Sequence, residues 1–372
     1  MPTRRQFLGL AAAGAGGLLV AQGIAPQRAA ALGLFEDVGI IESAECATPG
    51  IIATGGPTLS IATSRRYPNS VPGGNIETGP ADIITFRSTD DGATWEPARM
   101  VHDAYAGSPA DSGAAPVLVM IDGQLAVFYM VGPENWTIAS RVPHLRFSPD
   151  SGDTWGPVTT PTITSAHIHG QPTNGGKGFA FPNGRIVVPG RGCLLYSDDD
   201  GVSWTATPQF TGPGPNGQPS VETKTQPYFI NGAISKTALV PWRNNNRDLG
   251  EQERVRIADD YADNGTVTSA TGGAINNFGL VRYDAQTLLM SYTLRSALDV
   301  PSPLFVRMSA DEGRHWTAGK QIPRAAGATT RYSDIAVTDN GTIVVVYMEN
   351  YTTATNGNPL GVVRFDMDWL TS

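Results

Sequence analysis

The sequence predicts an all-β protein built as a six-bladed propeller. Three observations carry that prediction. A phrase recurs four times: RSTDDGATW at 87–95, RFSPDSGDTW at 146–155, LYSDDDGVSW at 195–204 and RMSADEGRHW at 307–316. Its serines, Ser88, Ser148, Ser197 and Ser309, lie 60, 49 and 112 residues apart, the last gap being about two of the others, so the chain repeats one supersecondary unit. Between the copies run short apolar segments, alternating or β-branched and bounded by Gly, Pro and Asn, with no amphipathic helix of three turns.

The first 31 residues stand apart from the repeat. MPTRRQFLGLAAAGAGGLLV opens with Arg4 and Arg5, runs into a mild Ala- and Gly-rich apolar stretch, and is followed by Ala29, Ala30 and Ala31. A charged start, an apolar middle and small residues at a cleavage site predict an export signal, and the arginine pair before Phe7-Leu8 resembles a twin-arginine signal. The apolar run is short for a bilayer span of about 20 residues. The expectation is a mature protein that starts near Leu32, is secreted or held in the cell envelope, carries no membrane segment and is a monomer. Residues 34–372 are read as one propeller domain.

Within it, DIITFRS, PVLVM, LAVFYM, GRIVVPG and GTIVVVYM read as strands, about four to each unit, which is the size of a propeller blade. The four phrases close blades one, two, three and five. The double gap leaves room for a fourth blade with a degraded copy near RIADDYADNG, 256–265, and YSDIAV onward supplies the sixth. GIIESAE, 39–45, is expected to complete the last sheet and fasten the ring. The phrase itself reads as a hairpin loop. Its Asp accepts backbone N–H bonds, its Gly takes positive φ, and its Trp returns an apolar ring beneath the turn.

The formal net charge of −8 argues against nucleic acid or an anionic membrane as a partner. Cys46 and Cys193 admit either a disulfide, in an oxidising compartment, or two buried thiols. His167 and His169 alternate on one strand, but no Cys or carboxylate cluster accompanies them, so they read as a pocket wall and no metal or cofactor is expected.

The repeated phrase is identified as the Asp box, and the chain resembles the sialidase family, whose propellers have six blades with these boxes on the outer rim, away from the chemistry. In TRYSDIAVTDNGTIVVVY, 330–347, Tyr332 matches the family's nucleophilic Tyr. A phenol suits an anomeric carbon bearing a carboxylate, because a carboxylate nucleophile would be repelled, and sialidases depart from the two-carboxylate scheme for this reason. A phenol of pKa about 10 needs a base beside it. Glu222, after the Gly- and Pro-rich 212–221, matches that base. Glu77, in the loop before the first box, takes the place of the family's acid/base Asp; Asp82 is the next choice and sits at a strand entrance.

The resemblance implies a grip of arginines on the substrate carboxylate, since guanidinium forks match carboxylates. Arg243, in LVPWRNNN, fits the second position. Arg66, with Arg65 beside it in IATSRRY, fits another family arginine, and Arg295 is a possible contributor from a loop. Ala47, in CATPGIIAT, stands where the first family arginine belongs, and losing one bidentate pair costs about 2–4 kcal/mol of substrate binding. The resemblance therefore implies a secreted retaining glycoside hydrolase acting on a glycan with a terminal sialic acid or related keto-sugar. Two alternatives stay open: a polysaccharide lyase or hydrolase of another sugar, and a non-catalytic carbohydrate-binding propeller.

Overall fold

The computed structural model describes residues 35–67, 80–104, 111–133, 141–164, 175–190, 193–207, 222–223, 225–230, 233–243, 249–256, 261–263, 275–294, 303–313, 315–324, 330–349 and 358–372. Residues 1–31, expected to be an export signal, and Glu77, His167, His169 and Arg295 lie outside them.

The chain begins with β1 (Glu36–Glu42). Blade one is β2 (Cys46–Gly55), β3 (Thr58–Arg66), β4 (Ala81–Ser88) and β5 (Arg99–His102). Blade two is β6 (Ser112–Ile121), β7 (Gln124–Gly132) and β8 (Val142–Ser148). After β9 (Thr162–Thr164) comes blade three, β10 (Phe179–Ala180), β11 (Ile186–Gly190), β12 (Cys193–Ser197) and β13 (Ser203–Ala206). Blade four holds β14 (Glu222–Thr223), β15 (Gln226–Ile230), β16 (Ala233–Arg243), β17 (Leu249–Arg256) and β18 (Tyr261–Asp263). Blade five is β19 (Ile275–Arg282), β20 (Leu288–Leu294), β21 (Leu304–Ser309) and β22 (Lys320–Gln321). The sixth sheet orders β1, β25 (Leu360–Phe365), β24 (Ile343–Glu349) and β23 (Thr330–Val337) from rim to axis, and α1 (Met367–Thr371) ends the chain.

Five sheets have four strands or more; the sixth, blade two, has three. Its fourth strand is reduced to one antiparallel bridge, Leu145 with Thr159. The chain then leaves it, and β9 pairs in parallel with β13 of blade three.

The N-terminal strand closes the ring by pairing antiparallel with β25, Glu36 opposite Arg364 and Glu42 opposite Leu360. It covers 36–42 rather than the expected 39–45. The strand ends because the Glu42 carboxylate folds back to accept the Ala44 N–H at 2.9 Å. Fastening the last sheet with a strand from the other end of the chain leaves no seam to unzip.

The four boxes share one bonding scheme. In the first, Ser88 Oγ donates to Asp90 Oδ1 at 2.8 Å and accepts the Gly92 N–H at 3.0 Å, while Asp90 accepts the Thr94 N–H at 2.9 Å. Ser148/Asp150/Thr154, Ser197/Asp199/Ser203 and Ser309/Asp311/His315 repeat it. Two successive residues take positive φ, not the Gly alone: Asp91 at 57° precedes Gly92 at 79°, and Ser151, Asp200 and Glu312 do the same. The box Asp therefore offsets the strain of a non-Gly left-handed neighbour. The segment between β17 and β18, 257–260, where the degraded fourth copy was expected, lies outside the described residues.

Slight burial pushes the Asp150 carboxyl up, but hydrogen bonds from Thr154 and Ser148 and the charge of Arg87 outweigh it and hold it at about 2. A depressed carboxyl stabilises the fold above its unfolded value of about 4 and loses that contribution as pH falls through the folded one. The melting temperature is expected to drop between about pH 4 and pH 2, and to drop less in Asp150→Asn. Calorimetric melts at pH 5, 3 and 2 check this.

Neither cysteine is in a disulfide, and both are buried. Burial pushes the Cys193 thiol up to about 12 and raises Cys46 still further from its ordinary value, so neither is a reactive thiolate.

Candidate functional site

Antiparallel pairing fixes which residues share a rim. The turn after β2 meets the turn after β23, with Gly56 N–H donating to Asp339 at 2.6 Å, so these two inner strands finish on the same side. The boxes lie there too: Asn340 donates to Asp91 at 2.9 Å, and Arg87 reaches the Asp150 carbonyl at 3.0 Å. The opposite rim therefore carries the starts of inner strands and the ends of second strands.

Every described candidate falls on that opposite rim. Tyr332 is the third residue of β23. Glu222 opens β14 and Arg243 closes β16, and the two are cross-strand partners in the register. Arg66 closes β3 opposite Ala81, the first residue of β4, and its N–H donates to the Glu45 carbonyl at 2.8 Å. Glu77 belongs to the intervening 68–79, and Arg295 follows the end of β20; both lie outside the described residues.

The inner strands are bent open at this end. β2, β6, β19 and β23 each carry a register shift in their first half, at Ala47–Gly50, Ala114–Val117, Asn276–Phe278 and Thr330–Ser333. Thr48 and Ala115, both at φ 54°, occupy matching places in blades one and two, each followed by Pro. Bulges bend strands and re-aim side chains, and non-Gly left-handed residues store about 1–3 kcal/mol of strain each. The Ala-x-Pro phrase at 47–49 and 114–116 was the sequence signal for this device, and the sequence reading did not use it.

Tyr332 is half-buried and packs against the cluster formed by blades one and six, which includes Cys46, Ala47 and Ile51. Burial pushes Tyr129 up to about 12 and raises Tyr67, Tyr292 and Tyr347 from the ordinary value; for Tyr67 the Asp82 carboxylate adds to it.

Arg65 and Asp82 form a closed unit. Arg65 Nη2 donates to Asp82 Oδ2 at 2.8 Å, the Tyr67 hydroxyl donates to the same oxygen at 2.6 Å, and the Ala104 N–H meets Oδ1 at 2.9 Å. Asp82 is buried, in keeping with the structural role that its place at the strand entrance suggested. Arg65 spends its charge inside blade one, beside Arg66 at the rim.

Ala47 is 1% exposed, so the position matching the family's first arginine is filled by apolar packing. Two residues before it, the buried Glu45 carboxylate accepts from the Asn358 backbone N–H at 2.6 Å and its side-chain amide at 2.5 Å. The sequence reading missed this pair, whose members are 313 residues apart. Among the described residues no group of three or more His, Cys, Asp or Glu side chains is arranged to hold a metal.

Residues 73–348 match the family model described as the BNR repeat-like domain. No curated protein matches the chain by sequence. Among solved structures, the Hadza microbial sialidase Hz136 superposes with a TM-score of 0.65 at 17% identity, covering 88% of this chain and 66% of its own. A protein of unknown function from Dyadobacter fermentans gives a TM-score of 0.65 at 17% identity, over 89% of this chain and 99% of that one. The NanB sialidase from Streptococcus pneumoniae gives 0.65 at 13% identity, over 91% and 71%. These likenesses bear on the fold: a β-propeller of the sialidase kind.

Proposed function

Because the chain belongs to the BNR repeat-like domain family, we propose that it is an exported, retaining glycoside hydrolase of the sialidase type, releasing a terminal acidic keto-sugar from glycans. One observation carries this reading: Glu222 and Arg243 oppose each other across β14 and β16 on the rim that also holds Tyr332. In the proposed reaction the Tyr332 oxygen forms a bond to the anomeric carbon while Glu222 takes the phenolic proton. Glu77 gives its proton to the departing glycosidic oxygen, then accepts one from the water that cleaves the sugar–tyrosine bond, while Glu222 returns its proton to the leaving Tyr332 oxygen. Arg66 and Arg243 hold the substrate carboxylate, with Arg295 as a further candidate.

The test is a hydrolysis screen of the mature protein against α-sialosides and related keto-sugar glycosides. Glu222→Gln is expected to lower kcat by about 10²–10⁴-fold and to erase the acidic limb of its pH profile. Absence of hydrolysis across the screen contradicts the reading.

A second reading, a polysaccharide lyase or a hydrolase of another sugar on the same propeller, is favoured by the buried Ala47. It removes one fork from the carboxylate grip. Products decide between them: a lyase leaves an unsaturated sugar absorbing in the near ultraviolet, and a hydrolase does not.

A further inference from the structure

Residues 175–178 bring blade three across to the inner strands of its neighbours. Leu118 of β6 donates its N–H to the Gly176 carbonyl at 3.0 Å and accepts the Gly178 N–H at 2.7 Å. The same segment lies against β2 with no room to spare. A Cβ on Gly175 would fall 2.3 Å from the Thr48 carbonyl oxygen, and one on Gly50 would fall 2.5 Å from that of Gly176.

From this segment Lys177 extends its ammonium to β23. Its Nζ lies 3.1 and 3.3 Å from the Asp334 oxygens and donates to the Ile335 carbonyl at 2.5 Å. Asp334 Oδ2 also accepts the Ile51 N–H of β2 at 2.9 Å. From blade five, Gly279 approaches so closely that its Cβ would sit 2.5 Å from the Asp334 Cα. One carboxylate thus ties blades one, three and six, with blade five against its back. Both side chains are buried. Burial pulls the Lys177 ammonium below its ordinary pKa, and the Asp334 carboxylate pulls it back up.

Asp334 stands two residues after Tyr332. Tyr332 and Ala336 pack on the cluster shared with blade one, and Ile335 packs on the blade-five side, so Tyr332, Asp334 and Ala336 share one face of β23. A buried ion pair is a poor source of stability, because desolvation offsets the attraction and an apolar pair does as well. What it adds is direction: the ammonium has fixed acceptors, and one residue of slip would break three bonds.

We propose that Lys177 and Asp334 are positioning residues, which lock β23 against β2 and so set where the Tyr332 hydroxyl stands on the rim it shares with Glu222 and Arg243. The proposal rests on Tyr332 being the reactive phenol.

The test uses the full mature chain with 3-fluorotyrosine at position 332, alone and with Lys177→Met/Asp334→Leu. Removing both charges leaves the Ile51 N–H and the Ile335 carbonyl without these partners, so the melting temperature is expected to fall by a few degrees. The fluorine resonance and its titration midpoint are expected to move, and kcat to fall by about 10–100-fold with KM within about twofold. A double variant that keeps its resonance and kcat overturns the proposal: with a lowered melting temperature the pair is then structural only, and with an unchanged one it does neither job. If the double variant does not fold, Lys177→Met/Asp334→Asn, which leaves no buried unpaired charge and keeps an acceptor for Ile51, replaces it: a displaced resonance supports the proposal and an unmoved one overturns it. The fluorine readout needs no turnover. A displaced resonance in a protein that hydrolyses nothing therefore keeps the positioning role and removes only the hydrolase reading.

Discussion

Tyr332→Phe is expected to lower kcat by about 10³-fold or more while changing stability by no more than about 1 kcal/mol. The two effects separate because the ring and the hydroxyl do different work. The half-buried ring packs against blade one and survives in Phe. The oxygen is what forms the bond to the anomeric carbon, and no step of the proposed reaction proceeds without it. Steady-state kinetics beside a denaturant titration checks both halves. Turnover near the parent rate excludes Tyr332 as nucleophile. A large loss of stability assigns the hydroxyl to the core.

Trp204→Ala is expected to cost about 3–5 kcal/mol of folding stability. The four box tryptophans are not equal. Trp95, Trp155 and Trp316 are half-buried, whereas Trp204 is 1% exposed. Its ring lies 5.0 Å from that of Phe128 in the cluster joining blades two and three, and its Nε1 donates to the Gly201 carbonyl at 3.0 Å. Removing it empties a fully buried space between blades two and three, whose paired strands have little means of closing the cavity. A lower urea midpoint with unchanged slope is the expected signature. Trp95→Ala, measured alongside, is expected to cost less.

The boxes were legible in the sequence because every bond in them is made within a few residues: Ser to Asp at i+2, Ser to the Gly N–H at i+4. The same locality exposed the strands and, through the double gap, the number of blades. Glu222 and Arg243 were named only through the resemblance to the sialidase family, and the register makes them cross-strand partners. What escaped depends on ring closure. Lys177 and Asp334 are 157 residues apart, and no local pattern marks a lysine destined for the axis. Glu45 and Asn358 meet only because the last sheet is fastened by the first strand. The departure of β9 to blade three was invisible for a related reason: a three-residue strand takes whichever edge lies near. The left-handed residue before each box Gly needed no glycine, because the Asp side chain supplies the compensating bonds.

The most direct measurement is covalent trapping with a 3-fluoro keto-sugar fluoride, in which fluorine slows the second step and leaves the sugar on its nucleophile. After digestion and mass mapping, the account predicts one equivalent of sugar on the peptide containing Tyr332, at the phenolic oxygen, and none in Tyr332→Phe. Label on a carboxylate or on another tyrosine, in a protein that hydrolyses the parent glycoside, contradicts it.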